Sequence, residues 1–266
     1  MLNTLRLPET SYVKLFITIL NSCIICGSFH VIDGTANGTA TRNGLIFYAI
    51  ISNAFFLVQS FILVFPDERP VFLREINNGM YEASSYYLAK VTSEVPINIF
   101  LPTLNIIIIY WSVNLNTAHA YNFFYFWLTI LMTNFATGAY ALCMGVVVPD
   151  KNLAVGLTPV LLIPMSLFTG FLVNRGQIVW YLLPLHYVSI YTYGFTAIVL
   201  NEFDDNDEVD CIHLNRTDPG FCDPIGNLDP ELDRLDCIGI LGMFILVFYF
   251  LAYVLLKMNS KKFEDN

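Results

Sequence analysis

Residues 121–148 read YNFFYFWLTILMTNFATGAYALCMGVVV, a run of 28 residues without a charged side chain. A helix crosses the hydrocarbon core of a bilayer, about 30 Å thick, with roughly 20 mostly apolar residues. Length and polarity therefore predict a membrane-spanning helix. Strands of a membrane barrel would alternate in polarity over about 10 residues, so the sequence predicts a helical bundle. Six further uncharged runs lie at 15–32, 44–65, 97–113, 153–173, 178–200 and 238–256.

The composition of the chain agrees with a membrane protein and excludes several other classes. The 266 residues are 56% hydrophobic and 13% charged, with a net charge of -9. This charged share is about half that of an ordinary soluble domain. The aromatic share of 15% is too high for a disordered chain. The acidic balance argues against nucleic-acid binding.

The distribution of Lys and Arg decides how many of the seven runs cross the membrane. If all seven cross and the N-terminus is cytoplasmic, the three lysines after residue 256 lie outside, against the positive-inside rule. If 178–200 is a re-entrant segment that enters from outside and returns, nine of the thirteen basic residues lie inside: Arg6, Lys14, Arg69, Arg74, Lys90, Lys151, Lys257, Lys261 and Lys262. We therefore predict cytoplasmic N- and C-termini and six crossings, at about 12–32, 44–65, 91–113, 121–148, 153–173 and 237–257.

The loop 201–236 is predicted to form a large external cap before the last crossing. It holds twelve acidic and two basic residues, a net charge of -10. The remainder of the chain holds 11 bases and 10 acids, so the overall acidity belongs to the cap alone.

Sequons and cysteines are consistent with six crossings. Glycosylation sequons begin at Asn37 and Asn215, and six crossings place both outside. Cys211 and Cys222 lie in the same loop as Asn215, where an oxidising exterior allows a disulfide. Cys237 is a third candidate, so any of three internal pairings or a bond between subunits stays open.

Small residues in the fourth crossing predict that another helix packs closely against it. Small side chains let two helix backbones approach in a membrane. The residues concerned are Ala136, Gly138, Ala139, Ala141 and Gly145.

The segment 66–90 carries most of the charge between the second and third crossings. It reads as an amphipathic cytoplasmic segment that turns at Asn78-Gly79 and continues as a helix into the membrane up to Pro96. The sequence of this segment, together with two later sequence motifs, resembles the membrane domain of ABC transporters of the G subfamily (white/ABCG type). The matching residues of the first block are Glu68, Arg69, Phe72, Arg74, Glu75, Tyr81, Tyr86, Leu88, Lys90, Glu94 and Pro96. The second block is FTGFLVN at 168–174. The third block consists of Tyr191, Tyr193, Gly194, Phe195 and Ala197, followed by NEF at 201–203.

The resemblance implies an all-α ABC-2 type (type V exporter) domain with six crossings, re-entrant helices and a large external loop. It further implies dimerisation around a substrate path, with export driven by a cytoplasmic ATPase domain. The 266 residues contain no G-x-x-x-x-G-K-[ST] phosphate loop and no L-S-G-G-Q-like signature. We therefore expect no cofactor on this chain, and ATP and Mg on a partner nucleotide-binding domain. A truncated or split product and a subunit that relies on another ATPase are both open.

The resemblance also implies site residues. Substrate contacts are expected at Ser52, Asn53 and Phe56 of the second crossing and at Ile163 and Ser166 of the fifth, with a hydrophobic plug at Phe171 and Leu172. Coupling to the ATPase is expected at Glu68, Arg69, Arg74, Glu75, Lys90 and Glu94.

Two physical expectations accompany the coupling residues. Ion pairs among Arg69, Arg74, Glu75 and Glu82 would let the segment move as one rigid lever. Glu94 lies inside an apolar run, where a carboxylate is a functional candidate, and Lys90 one turn away is its expected partner. The histidines form no metal-spaced set, so no metal site is predicted.

The leading functional hypothesis is the membrane half of an ATP-driven exporter for a lipidic or amphipathic small molecule. The alternative is a non-transporting assembly or regulatory subunit of a complete half-transporter. An intramembrane enzyme ranks last, because the spans lack paired carboxylates, a His cluster or a Ser/Lys arrangement. The sequence does not distinguish the plasma membrane from an internal membrane, or a homodimer from a heterodimer.

Overall fold

The computed structural model describes residues 8–29, 36–62, 64–116, 119–148, 150–173, 176, 178–203 and 232–264. Within these ranges the regular structure is helical. The helices are α1 (Pro8–Ser28), α2 (Ala36–Ile62), α3 (Val64–Asn77), α4 (Ala83–Ser112), α5 (Ala120–Val147), α6 (Lys151–Leu167), α7 (Leu183–Val188), α8 (Ile190–Phe203) and α9 (Arg234–Glu264).

Six of these helices coincide with the six predicted crossings. Four are long and apolar enough to span a bilayer, at Ala40–Gln59 of α2, α4, α5 and Arg234–Met258 of α9. The apolar parts of α1 and α6 are shorter, at Tyr12–Ser28 and Lys151–Leu167. The all-α membrane fold predicted from the uncharged runs is therefore confirmed.

Helix α5 lies at the centre of the bundle and packs against α2, α8 and α9. Its small residues allow this close approach. A Cβ atom added at Gly138 would lie 2.8 Å from the Phe61 ring, and one at Gly145 would lie 2.8 Å from the Ile62 carbonyl oxygen. Both neighbours belong to α2, so Gly138 and Gly145 lie on the face of α5 against which α2 packs. Ala136 of the predicted strip instead clusters with residues of α8 and α9.

Helix α6 is shorter than the predicted fifth crossing. That crossing was expected to continue to residue 173, but α6 ends at Leu167 because a turn follows in which Gly170 has φ 92°. A positive φ of this size suits glycine and ends the helix. Helix α4 contains most of the predicted third crossing at 91–113 and continues through Pro96 and Pro102 to Ser112. Neighbouring helices make such prolines tolerable within membrane segments.

Residues 183–203 form two helices that are separated at Ser189, and the predicted re-entry of this segment into the membrane stays a prediction. Side chains of this pair bond to the end of α6, whose last carbonyl groups have no partner within the helix. The Phe168 carbonyl oxygen accepts from Thr192 Oγ1 at 2.9 Å and lies 2.8 Å from His186 Nδ1. Ser189 Oγ donates to the Met165 carbonyl oxygen at 2.8 Å. The broken pair thereby satisfies the C-terminus of α6.

A buried carboxylate joins the ends of three segments. The Glu202 side chain is 1% exposed and lies 3.1 Å from Arg42 Nη1 at the start of α2. The Asn116 backbone N–H, just after α4, lies 3.0 and 3.1 Å from the two Glu202 oxygens. One residue earlier, Asn201 Nδ2 donates to the Asn122 carbonyl oxygen of α5 at 2.9 Å. These contacts connect α2, α4, α5 and α8 at one end of the bundle.

We predict that Gly194→Ala destabilises the protein. A Cβ atom on Gly194 would collide with Thr133 of α5, and the Thr133 hydroxyl is held by its 2.8 Å bond to the Thr129 carbonyl oxygen. Overpacking of this kind costs about 1–3 kcal/mol. The measurement is the midpoint of thermal unfolding in detergent. Gly242→Ala is the matched control, since a Cβ there meets nothing within 4 Å; equal midpoints for both variants would contradict the close α5–α8 packing.

We predict a second loss of stability for Glu202→Gln, about 3 kcal/mol, because removing one partner leaves Arg42 without its counter-charge. The measurement is a double-mutant cycle with Arg42→Gln, scored by thermal unfolding. Coupling between the two positions makes the double variant more stable than the sum of the single losses implies. Additive losses would show that the ion pair carries no stabilising interaction of its own.

Candidate functional site

Helices α3 and α4 form a helical hairpin at the other end of the bundle. The turn between them is set by Asn78-Gly79, as the sequence predicts. Gly79 has φ 65°, its N–H donates to the Ile76 carbonyl oxygen at 2.8 Å, and the Met80 N–H donates to the Glu75 carbonyl oxygen at 3.1 Å. This is a Schellman ending with glycine in the left-handed position. This ending fixes the direction in which the chain leaves α3, whereas a solvated loop would leave the angle between α3 and α4 undefined.

Glu68 of α3 is the centre of the contact between the two helices. Lys90 Nζ lies 2.5 Å from Glu68 Oε1, and Tyr86 Oη donates to Glu68 Oε2 at 2.7 Å. Both donors belong to α4. The expected Lys90–Glu94 pair is therefore wrong, because the Lys90 ammonium bonds across the hairpin instead of along its own helix. Glu94 is half-buried and makes no hydrogen bond or ion pair with any described residue.

A second carboxylate–phenol bond closes the turn. Tyr81 Oη donates to Glu75 Oε2 at 2.6 Å, and the Tyr81 and Tyr86 rings stack with centroids 5.8 Å apart. Phe72 packs on Tyr86 with centroids 4.5 Å apart. Burial and the neighbouring Glu75 carboxylate raise the pKa of Tyr81, so its phenol stays protonated and able to donate.

The arginines of the segment do not supply the predicted ion pairs. Arg74 is exposed, and Arg69 lines a small cavity of about 20 Å³ with Gly145 and Val146 at the end of α5 and with Leu256 of α9. Within the described residues neither arginine lies in a salt bridge. In place of the expected Arg–Glu pairs, the segment has Tyr–Glu and Lys–Glu contacts.

A buried polar chain connects α1, α2 and α4 inside the membrane-spanning part of the bundle. Ser22 Oγ donates to Asn105 Oδ1 at 3.0 Å, and Asn105 Nδ2 donates to Asn53 Oδ1 at 3.3 Å. Asn53 Nδ2 bonds to the Ala49 carbonyl oxygen of its own helix at 2.8 Å. These three side chains satisfy one another, which is the condition for placing amides in an apolar interior.

The five expected substrate residues divide into two groups. Ser52 and Phe56 are half-buried on α2, whereas Asn53 is buried and faces α4 through Asn105. On α6, Ile163 is 53% exposed, and Ser166 is buried with its hydroxyl bonded to the Ile163 carbonyl oxygen at 2.7 Å. The cleft that Asn53 and Phe56 line is formed by α1, α2 and α4, and the two α6 residues do not line it.

The predicted plug residues follow the turn at the end of α6. The Phe171 ring stacks on Phe47 of α2 with centroids 4.8 Å apart and lies 6.0 Å from the ring of Phe195 in α8. Leu172 is exposed beside it. The turn thus holds an aromatic cluster against α2 and α8, near the predicted outer end of the bundle.

Several predicted features lie outside the described residues. These are the cysteines Cys211 and Cys222 and the sequon at Asn215. Asn37 lies in the first turn of α2, with its side chain outside the described set. Cys237 is buried in the first turn of α9. Glycosylation and the disulfide stay predictions.

The geometry makes four further side chains important that the sequence does not mark as site residues. Tyr86 and Tyr81 are motif positions in the sequence, and in the structure each donates to a carboxylate of α3. Ser22 and Asn105 belong to no motif and form the buried polar chain. Polar residues within the uncharged runs are the sequence feature that predicts such contacts, because a polar side chain in a membrane helix requires a hydrogen-bonding partner.

Comparisons with known proteins identify the family to which this chain belongs. The ABC-2 type transporter family matches residues 1–203. The chain is 27% identical to ABC transporter G family member 1 of Dictyostelium discoideum, covering 99% of this chain and 34% of that protein. It is 28% identical to protein white of Drosophila melanogaster, covering 99% of this chain and 39% of that protein.

A mouse relative matches over a shorter stretch. The broad substrate specificity ATP-binding cassette transporter of Mus musculus is 31% identical, over 83% of this chain and 33% of that protein. The chain thus spans between a third and two fifths of the length of these relatives. The family match, the six apolar helices and the charged hairpin together show that the chain belongs to the ABC-2 type transporter family, as a membrane domain of the G-subfamily type.

Proposed function

We propose that this chain forms the transmembrane half of an ATP-driven exporter and lines the path of a lipidic or amphipathic small molecule in a dimer. ATP and Mg would be bound by a nucleotide-binding domain outside these 266 residues. The protein would lie in the plasma membrane or an internal membrane with both termini in the cytoplasm.

The α3–α4 hairpin is the observation that carries the proposal. Glu68 bonds to Tyr86 across the two helices, the turn has a defined geometry, and Arg74 stays exposed at the surface of the hairpin. A stiff charged element at the end of two membrane helices is suited to receive a movement from a soluble domain. Arg69 extends the contact to the ends of α5 and α9.

Helix α6 supports the dimeric part of the proposal. Its exposed apolar side chains recur every three or four residues, which places them on one face of the helix. They are Leu153, Leu157, Val160, Ile163 and Leu167. A second copy facing this stripe would place Ile163 opposite the half-buried Ser52 and Phe56 of its partner.

Transport by the purified protein tests the proposal. The tagged full-length protein is purified with whatever ATPase accompanies it, reconstituted in liposomes and supplied with ATP and a fluorescent amphiphile. We expect ATP-dependent accumulation of the probe, abolished when ATP is replaced by a non-hydrolysable analogue. A complex that hydrolyses ATP but moves no probe across a panel of amphiphiles would favour the assembly or regulatory subunit.

We predict that Glu68→Gln uncouples hydrolysis from transport. The variant loses the charge that holds Lys90, so the hairpin transmits less of the movement. The interaction is partly exposed and worth about 1 kcal/mol, which corresponds to roughly a fivefold loss of transport per ATP. Glu82→Gln is the matched control, because Glu82 is exposed and contacts only Ser84 of its own helix. Equal transport-to-ATP ratios in the two variants would count against the role of Glu68.

We predict that Asn215 carries a glycan, since the proposed orientation places 201–236 outside. Asn215→Gln expressed in a eukaryotic cell should migrate faster on a gel, and glycosidase treatment of the wild-type protein should reproduce that mobility. Asn152→Gln, which lies in no sequon, is the control. Wild-type protein that is insensitive to glycosidase would contradict the orientation.

A further inference from the structure

A polar cleft lies between α1, α2 and α4, away from the α3–α4 hairpin. Its interior measures about 30 Å³, which is room for one or two water-sized groups. Lys14 and Thr18 line it from α1, and Asn98, Leu101 and Asn105 line it from α4. The cleft therefore admits an oxygen or two of a larger molecule and excludes the molecule as a whole.

Asn98 is the unsatisfied group inside the cleft. Its side chain is 3% exposed, and Nδ2 has no acceptor among the described residues. The adjacent amide of Asn105 is already engaged, because it donates to Asn53 and accepts from Ser22. A buried N–H without an acceptor is unfavourable, so an oxygen atom entering the cleft would be stabilised there.

Lys14 adds a positive charge to the same cleft. It is half-buried, and its ammonium makes no ion pair or hydrogen bond within the described part of the chain. Lysine offers donors only. Both groups therefore bind acceptor oxygens, and the charge of the ammonium favours oxygens that carry negative charge.

The apolar surfaces around the cleft indicate which kind of molecule supplies the negatively charged oxygens. The outer surface of α1 exposes apolar side chains, which face lipid in a membrane: Tyr12, Val13, Phe16 and Leu20. Phe56 and Leu57 of α2 form apolar walls beside the polar groups. An amphiphile can place its chains against these surfaces and its headgroup oxygens in the cleft.

We propose that this cleft binds the phosphate of an anionic phospholipid, with the Lys14 ammonium and the Asn98 amide as its donors. Basic pockets between membrane helices bind anionic headgroups in the same way. The cleft shares Asn53 and Phe56 with the expected substrate residues, but lipid binding there is read out without ATP and can therefore be tested apart from transport.

Lipid-dependent stability tests the inference. The full-length protein, in its complex where it has one, is purified in detergent and titrated with phosphatidylglycerol or with phosphatidylcholine. We expect a saturable rise of about 3–5 °C in the unfolding midpoint with phosphatidylglycerol at tenfold excess over its Kd. Native mass spectrometry of the same samples should show the bound lipid. Phosphatidylcholine should give a smaller rise.

Variants connect the effect to the cleft. Lys14→Gln should weaken phosphatidylglycerol binding about tenfold, and Lys14→Arg should restore it. Lys151→Gln, at the N-terminus of α6, removes the same charge elsewhere and should leave binding unchanged. Asn98→Asp preserves the shape of the side chain but repels phosphate, so it should abolish the response while the protein stays folded.

Three outcomes would overturn the inference. Equal loss of binding in Lys14→Gln and Lys151→Gln would show non-specific attraction to net charge. An equal midpoint shift from inorganic phosphate alone would show that the lipid is not the source of the group. An unchanged response in Asn98→Asp would show that the cleft holds only water.

Discussion

The ion pair between Glu202 and Arg42 closes one end of the bundle, and the arrangement of the inner helices depends on it. A carboxylate that is 1% exposed requires a counter-charge and hydrogen-bond donors inside the protein. Arg42 and the Asn116 N–H supply them. Because these partners come from α2 and from the residue Asn116 just after α4, the contacts fix the C-terminal end of α8 to both segments. The body of α8 packs against α5 and α9.

The ionic contacts at the two ends of the bundle differ in burial and in the number of helices that they connect. At the Glu202 end the charges are buried and connect four helices, so this end resists separation of its parts. At the hairpin end the Glu68 network is partly exposed and connects only α3 and α4. Helix α5 lies between them, with glycines that bring α2 close and with Arg69 near its last turn. In the proposed function, a movement of the hairpin would act on a bundle whose opposite end is held together by these contacts.

Much of the fold could be predicted because the membrane requires long uncharged helices. The run 121–148 became α5 within a residue at each end. The run 153–173 was overestimated, because nothing in its polarity marks the turn at Gly170. Partners of charged side chains were harder to predict. Lys90 was assigned to Glu94 from helical spacing, but Glu68 lies closer across the hairpin. Helical spacing defines neighbours along a helix and cannot reveal those on another helix.

The sequence by itself determined the class of the protein, its helical content, the small-residue surface of α5, the turn at Asn78-Gly79 and the family. Each of these depends on local composition or on a short motif. Only the tertiary structure decided that Tyr86 and Lys90 share Glu68, that Asn53 faces Asn105, and that Lys14 and Asn98 line one cleft. These contacts join residues from 18 to 84 positions apart, and their pairing depends on how the helices pack, which no local pattern records.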